Sequence, residues 1–108
     1  MLDANMASDL IRNPHGRVYV RLEQHGAATA CLSIITAAEL WFGSARRRSP
    51  QLTSRIKTFL TKIAVLPFDA PSDEAYAGIR TDLEAAGTPI SPNDLLIAAH
   101  ALTLGLTL

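Results

Sequence analysis

Apolar residues along the 108-residue chain alternate between short continuous runs and longer stretches with helical spacing. The short runs predict strands at residues 29–35 and 64–68, the stub of a strand at residues 1–2 and the start of an unfinished strand at residues 106–108. The longer stretches predict helices over residues 5–12, 17–24, 36–46, a segment that follows Pro50, 72–86 and 93–104. Alternation of this kind is typical of the α/β class, with a short and mostly parallel sheet, in one domain covering residues 1–108.

Composition narrows the class of protein. Ten Lys and Arg residues balance ten Asp and Glu residues, and 48% of the residues are hydrophobic, which excludes a disordered charged tail. No apolar run reaches the roughly 18 residues that cross a bilayer, and the start of the chain lacks the pattern of a signal peptide. The single Cys31 cannot form an internal disulfide, so a reducing cytoplasm fits best.

Three acidic residues stand where predicted strands give way to helices. Asp3 follows an apolar stub, and Glu39 and Asp94 each fall in the first turn of a predicted helix. Helices that follow parallel strands begin at the carboxyl edge of the sheet, where ligand crevices form. Acids that are remote in sequence could therefore converge in one cleft. Ligands that offer only oxygen suit Mg²⁺ or Mn²⁺ rather than zinc.

Helix capping is the competing interpretation of these acids. Residues 36–39 and 91–94 each match a capping box, and Pro92 occupies the favoured first helical position. An acid in a first turn also gains about 0.3–1 kcal/mol from the helix dipole. Capping accounts less well for Asp3. It is also compatible with metal binding, because a helix N-terminus helps to keep a carboxylate ionised, so the spacing leaves both interpretations open.

One histidine lies on the last predicted helix, six residues past Asp94. Six residues rotate by about 240° around an α-helix, so His100 faces away from this acid. We therefore interpret His100 as a packed or interface histidine rather than as a general base.

The segments around the three acids resemble the PIN-domain family. They read MLDAN at residues 1–5, SIITAAEL at residues 33–40 with Gly43 beyond, and GTPISPNDLLIAAHA at residues 87–101. Within this family they are most similar to the VapC-type toxins of bacterial type II toxin–antitoxin pairs. The resemblance covers essentially the whole chain, with its motifs in the family's order.

The resemblance implies a small three-layer α/β/α domain that acts as a Mg²⁺-dependent endoribonuclease toxin and is blocked by a VapB-type antitoxin. It implies that Asp3, Glu39 and Asp94 hold the Mg²⁺ ion, or Mn²⁺ in its place, and position a water for attack on an RNA phosphodiester. Asp3 and Asp94 are then the expected direct ligands, and Glu39 is a ligand or a base acting through water. Asn5 belongs to the same motif, and we expect it to support these acids from outside the metal sphere. The family also implies a homodimer.

The chain departs from the family pattern in two places. Ala4 stands where members usually have Thr or Ser, whose hydroxyl helps to organise the site. Members also continue past the last strand into a segment with a fourth polar or acidic site residue, whereas this sequence ends at Leu108. We therefore expect the C-terminal strand and the site-closing segment to be missing. The alternative function is a catalytically impaired remnant that retains only dimer or antitoxin binding.

Overall fold

The computed structural model describes residues 1–25 and 30–106, and these contain six helices and two strands. The helices are α1 (Ala4–Arg12), α2 (Arg17–His25), α3 (Ile34–Arg47), α4 (Pro50–Lys62), α5 (Ser72–Ala85) and α6 (Pro92–Thr103). The strands are β1 (Cys31–Ser33) and β2 (Ala64–Leu66). The start of the predicted strand 29–35 and the last two residues of the predicted strand 106–108 lie outside the described residues.

The sheet is short and parallel, as predicted. Strand β1 pairs with β2 in parallel register, with Leu32 opposite Val65. Leu2 makes a further parallel bridge to Leu32, and its amide donates to the carbonyl of Cys31 at 2.9 Å. The chain entering α1 and the two strands therefore run in the same direction, so their carboxyl ends lie at one edge of the sheet.

Helix α3 begins at Ile34, two residues before the predicted start at Thr36. Ser33 ends β1 and is the N-cap of α3, since its Oγ accepts a hydrogen bond from the amide of Ile35 at 3.1 Å. Thr36 is therefore the third residue of the helix and Glu39 is the sixth, outside the first turn. The capping-box interpretation of residues 36–39 is wrong, because the cap lies three residues upstream.

Proline and serine set other boundaries. Strand β2 ends at Leu66 rather than at residue 68, because Pro67 has no amide hydrogen with which to extend the ladder. Helix α4 begins with Pro50 at its first position, and the Oγ of Ser49 caps it by accepting from the amide of Leu52 at 3.1 Å.

The main core joins α1, α3 and α4 to the sheet. Its buried residues are Leu2, Ala7, Ile11, Leu32, Ala37, Leu40 and Ile56. Helices α5 and α6 pack against each other, and α6 also packs against α3. The buried residues of α6 lie outside the main core cluster, so α5 and α6 form a second packed group that joins the first through α3. This is the expected α/β/α arrangement.

Helix α6 is buried on one side only, although its apolar sequence predicts a helix buried all round. Leu102 is 64% exposed and Leu104, which caps the helix, is 47% exposed. The side that packs consists of Leu95, Ile97, Ala99, His100 and Ala101. No helix in the described part of the chain, α6 included, is both long and apolar enough to span a membrane.

Truncation of Ile56 tests the core assignment. This side chain is 1% exposed, so Ile56→Ala should lower the free energy of unfolding by about 2–5 kcal/mol through lost burial and a cavity. Ile34→Ala is the matched control, because Ile34 is 45% exposed and should lose about 1 kcal/mol at most. Urea denaturation followed by circular dichroism measures both. Equal losses would show that Ile56 is not a core residue.

Candidate metal centre

Helices α3 and α6 bring Glu39 and Asp94 together. Ser91 is the N-cap of α6, with its Oγ accepting from the amide of Asp94 at 3.3 Å, and Pro92 is the first helical residue. Asp94 therefore lies in the first turn, as predicted, and its side chain is exposed. Glu39 is partly buried, and the charge of Asp94 acts on it directly. The two carboxylates form an acidic pair across the two helices.

The electrostatics of Glu39 reflect this position. Its pKa is raised above the ordinary value of 4.5, first by burial, which disfavours the charged form, and second by the negative charge of Asp94. A side-chain hydrogen bond with Asn93 lowers the pKa in part. The Oε1 atom of Glu39 is buried and has no hydrogen-bond partner among the described residues. A buried carboxylate oxygen without a donor is suited to binding a cation.

Asp3 is the N-cap of α1. Its Oδ1 accepts a hydrogen bond from the amide of Met6 at 2.8 Å, so capping does explain this acid, contrary to the expectation from sequence. The bridge between Leu2 and Leu32 places Asp3 at the same carboxyl edge as Ser33. Asp3 thus lies at the edge from which α3 departs.

The structure does not gather all three predicted acids into one cluster. Within residues 1–25 and 30–106, no group of three His, Cys, Asp or Glu side chains is placed to hold a metal ion. The close pair is Glu39 and Asp94, and Asp3 stays with its own helix. Asn5 lies exposed in the first turn of α1, where its supporting role remains a prediction.

Asn93 is a site residue that the sequence reasoning left without a role. It lies in the first turn of α6, directly before Asp94, and its side chain is close enough to Glu39 to lower the pKa of that carboxyl. The sequence does place a polar amide side chain directly beside Asp94, a predicted metal ligand, at the start of the same helix. Its partner on α3 is evident only from the packing of the two helices.

The donor set suits a small hard cation. Mg²⁺ is usually held by one or two carboxylates together with waters and substrate phosphates, rather than by a full cage of protein ligands. Glu39 and Asp94 supply two carboxylates, one of them with an unpartnered buried oxygen. The residues present therefore fit a divalent ion of this type.

A groove lies elsewhere on the molecule, away from the acidic pair. It has a volume of about 730 Å³ and lies between α1, α2 and α4, and neither acid of the pair lines it. Its walls include apolar side chains such as Leu10, Ile11 and Phe59. Basic side chains also line it, contributed by Arg12, His15, Arg55 and Lys62. The groove therefore combines apolar and positively charged surface.

Comparison with known families matches the PIN domain over residues 1–108. The chain belongs to the PIN-domain family, and its relatives place it in the VapC group of that family. The Ribonuclease VapC2 of Rickettsia felis is 36% identical over 110 residues, which cover 100% of this chain and 82% of that protein. The tRNA(fMet)-specific endonuclease VapC of Shigella flexneri is 33% identical over 98% of this chain and 80% of its own length.

Solved structures give the same result for the fold. The VapBC2 complex from Rickettsia felis, bound to a DNA fragment from its promoter, contains a chain similar to this one with a TM-score of 0.86 and 34% identity. The match covers 98% of this chain and 82% of that chain. The DNA-bound VapBC complex from Salmonella typhimurium matches with a TM-score of 0.84 and 30% identity, over 98% of this chain and 80% of that chain. The α/β/α fold is therefore one that also occurs in VapBC complexes.

Substitution of Glu39 tests the raised pKa. Since the folded state raises this pKa, the protonated form favours folding, and that contribution is lost as the pH rises through the raised value. Without metal at neutral pH, Glu39→Gln should therefore raise the unfolding temperature by a few degrees. The gain should shrink as the pH falls toward about 4, where an ordinary glutamate also becomes protonated. Calorimetry in EDTA measures this difference.

The control for that experiment is Glu74→Gln. Glu74 is an exposed acid in the first turn of α5, where the helix dipole favours its charge. Removing this charge should not raise the unfolding temperature at any pH. If Glu74→Gln raised the unfolding temperature as much as Glu39→Gln does, removal of any acidic side chain would be enough to stabilise the protein. That result would contradict the assignment of the effect to the burial of Glu39 and to the charge of Asp94.

Proposed function

We propose that this chain is the toxin of a toxin–antitoxin pair and acts in the cytoplasm as a metal-dependent endoribonuclease, with Mg²⁺ as the ion and Mn²⁺ as a substitute. The observation that carries the proposal is the pairing of Glu39 with Asp94, with a buried Glu39 oxygen that no described residue bonds. Membership of the PIN-domain family supports it, as do relatives named as VapC ribonucleases.

Glu39 and Asp94 would hold the ion. When bound, such an ion neutralises charge on an RNA phosphate and lowers the pKa of its water. Asp94 lies in the first turn of α6, at the positive end of the helix dipole. The Asn93 side chain favours the ionised form of Glu39, because it lowers the pKa of that carboxyl. Asp3 uses one carboxylate oxygen to cap α1 and retains a second, with which it would join the site from the neighbouring edge position.

A catalytically impaired remnant is the second candidate. One observation favours it: the described residues place no three acidic, histidine or cysteine side chains in a single metal-binding group. Such a protein would keep its association with an antitoxin or a second copy and would not cleave RNA. Metal binding and cleavage, measured separately, distinguish the two candidates.

Replacement of Asp94 tests the enzyme proposal. The wild-type chain should bind Mn²⁺ at or below millimolar concentration and should cleave RNA in its presence. Asp94→Asn removes a charge and one of the two paired carboxylates, so it should abolish both activities. Electron paramagnetic resonance reports free Mn²⁺, and gel electrophoresis reports cleavage.

The matched control is Glu74→Gln, which removes an exposed acid of α5 and should retain both activities. Absence of divalent-ion binding to the wild type at millimolar concentration would contradict the enzyme proposal. Antitoxin binding without RNA cleavage would favour the impaired remnant.

The groove between α1, α2 and α4 is the proposed binding site of a VapB-type antitoxin. Its apolar walls suit a segment with apolar side chains, and its basic side chains suit acidic ones. The solved neighbours are VapBC complexes, so a partner of this class is expected.

A second copy of this chain is the other proposed partner. Apolar side chains exposed on α3 and α6 support it, Phe42 at 65% and Leu102 at 64%.

Charge reversal at the groove tests the antitoxin-binding site. Arg55 lines the groove and is exposed, so Arg55→Glu should weaken binding of the antitoxin encoded with this chain by about tenfold or more. The matched control is Arg47→Glu, because Arg47 is exposed in the last turn of α3 and does not line the groove. Isothermal titration at low and high salt measures both. Equal weakening by the two variants would assign the effect to net charge and not to the groove.

A further inference from the structure

A buried hydrogen bond joins the start of α3 to the last turn of α6. The Nδ1 atom of His100 lies 2.8 Å from the Oγ of Ser33, across 67 positions of sequence. Ser33 is 0% exposed and His100 is 1% exposed. The same Ser33 oxygen caps α3 by accepting from the amide of Ile35. One hydroxyl therefore connects the end of β1, the first turn of α3 and the interior face of α6.

The two bonded residues stand on the helices that carry the acidic pair. Ser33 precedes Glu39 by six residues, and His100 follows Asp94 by six residues. Contact between apolar side chains is not directional, so it leaves two packed helices some freedom to slide. A hydrogen bond has a narrow range of length and angle. The bond between Ser33 and His100 therefore restrains the relative position of α3 and α6 in addition to their packing.

The imidazole ring of His100 is held in one orientation. Its edge packs against the ring of Phe68, with centroids 5.4 Å apart and planes at 76°. Its Nε2 atom is buried and has no hydrogen-bond partner among the described residues. Within this part of the chain, the contact to Ser33 is thus the polar bond that anchors the ring.

The position of the helices matters because Glu39 and Asp94 repel each other. The charge of Asp94 already raises the pKa of Glu39, so electrostatics push the two carboxylates apart when no cation lies between them. A contact that resists separation of α3 from α6 keeps both acids within reach of one ion. The bond between Ser33 and His100 is such a contact, and it is shielded from water.

We propose that His100 is a positioning residue for the metal centre. Through its bond to Ser33 it holds α6 against α3 at the separation at which Glu39 and Asp94 bind one divalent ion together. His100 acts through the two helices, because it faces away from Asp94 around α6. This inference rests on the proposed metal-dependent function.

Two amide substitutions of His100 test the inference. The Asn side chain places a polar atom near the position of Nδ1 and can keep the bond to Ser33. The longer Gln side chain places its amide near the position of Nε2 and leaves Ser33 without its partner. Electron paramagnetic resonance of Mn²⁺ gives the affinity of each variant. Affinity of His100→Asn should stay within about threefold of wild type, and affinity of His100→Gln should fall by about 10–100-fold, as for other supporting residues of metal sites.

If His100 only fills space between the helices, the two variants should show the opposite order of Mn²⁺ affinity. Gln is closer to His in volume than Asn is, so a site that only needs filling would tolerate His100→Gln better. Unfolding temperatures measured in EDTA report that packing effect separately from Mn²⁺ affinity. The order of the two variants in Mn²⁺ affinity therefore decides between positioning and filling.

Ser33→Ala tests the other partner, with Ser49→Ala as its matched control. Both substitutions remove a serine that caps a helix, since Ser49 accepts from the amide of Leu52 at 3.1 Å at the start of α4. Both should lower the unfolding temperature. Ser33→Ala should in addition weaken Mn²⁺ affinity by about tenfold, because it alone breaks the bond to His100. Ser49→Ala should leave that affinity unchanged.

The outcomes separate this inference from the proposed function. If the wild type binds Mn²⁺ and His100→Gln binds it equally well, the positioning role is wrong and the metal-dependent function stands. Equal weakening by His100→Asn and His100→Gln, or by Ser33→Ala and Ser49→Ala, also overturns the positioning role. If the wild type binds no Mn²⁺, the proposed function fails and this inference fails with it.

Discussion

The hydroxyl of Ser33 is the contact on which the arrangement of the site depends. It lies at the end of β1, accepts from the amide of Ile35 and meets the imidazole of His100, so a strand and two helices join at one oxygen atom. The helix position of Glu39 follows from this cap, because α3 begins directly after Ser33. Since Leu2 bridges to β1, the segment that carries Asp3 reaches the same edge. The parallel sheet determines the direction in which these segments run. The buried hydrogen bonds of Ser33 restrain where α3 and α6 lie relative to each other.

The acidic pair costs the folded state some stability, and neighbouring groups offset part of that cost. Burial and the charge of Asp94 both oppose ionisation of Glu39, and one of its oxygens has no donor among the described residues. A residue chosen for stability would not be an acid in this position. The side chain of Asn93, which lowers the pKa of Glu39, and the dipole at the start of α6 offset part of that cost. The pair is therefore better explained by ligand binding than by stabilisation of the helices.

Features determined by local chemistry could be predicted from the sequence, and those determined by packing could not. The parallel order of the sheet, the helices and the cap at Ser91 follow from periodicity and from turn residues near in sequence. The start of α3 could not be predicted, because Ser33 lies within an apolar run that is typical of a strand, and its capping hydrogen bond is evident only in the structure. His100 was expected to pack, but a partner 67 residues away is determined only by tertiary structure. The pairing of Glu39 with Asn93 has the same origin.

The chain has no net charge, but it contains two regions of opposite charge. Glu39 and Asp94 make one end of the contact between α3 and α6 acidic, whereas basic side chains line the groove between α1, α2 and α4. RNA is a polyanion, so the acidic pair repels it unless a cation lies between them. In the proposed function the ion is therefore required for the substrate to approach as well as for its hydrolysis. An acidic segment of a partner needs no such ion in the basic groove. In the proposed function, this difference would let one small domain bind an anionic partner and an anionic substrate at separate places.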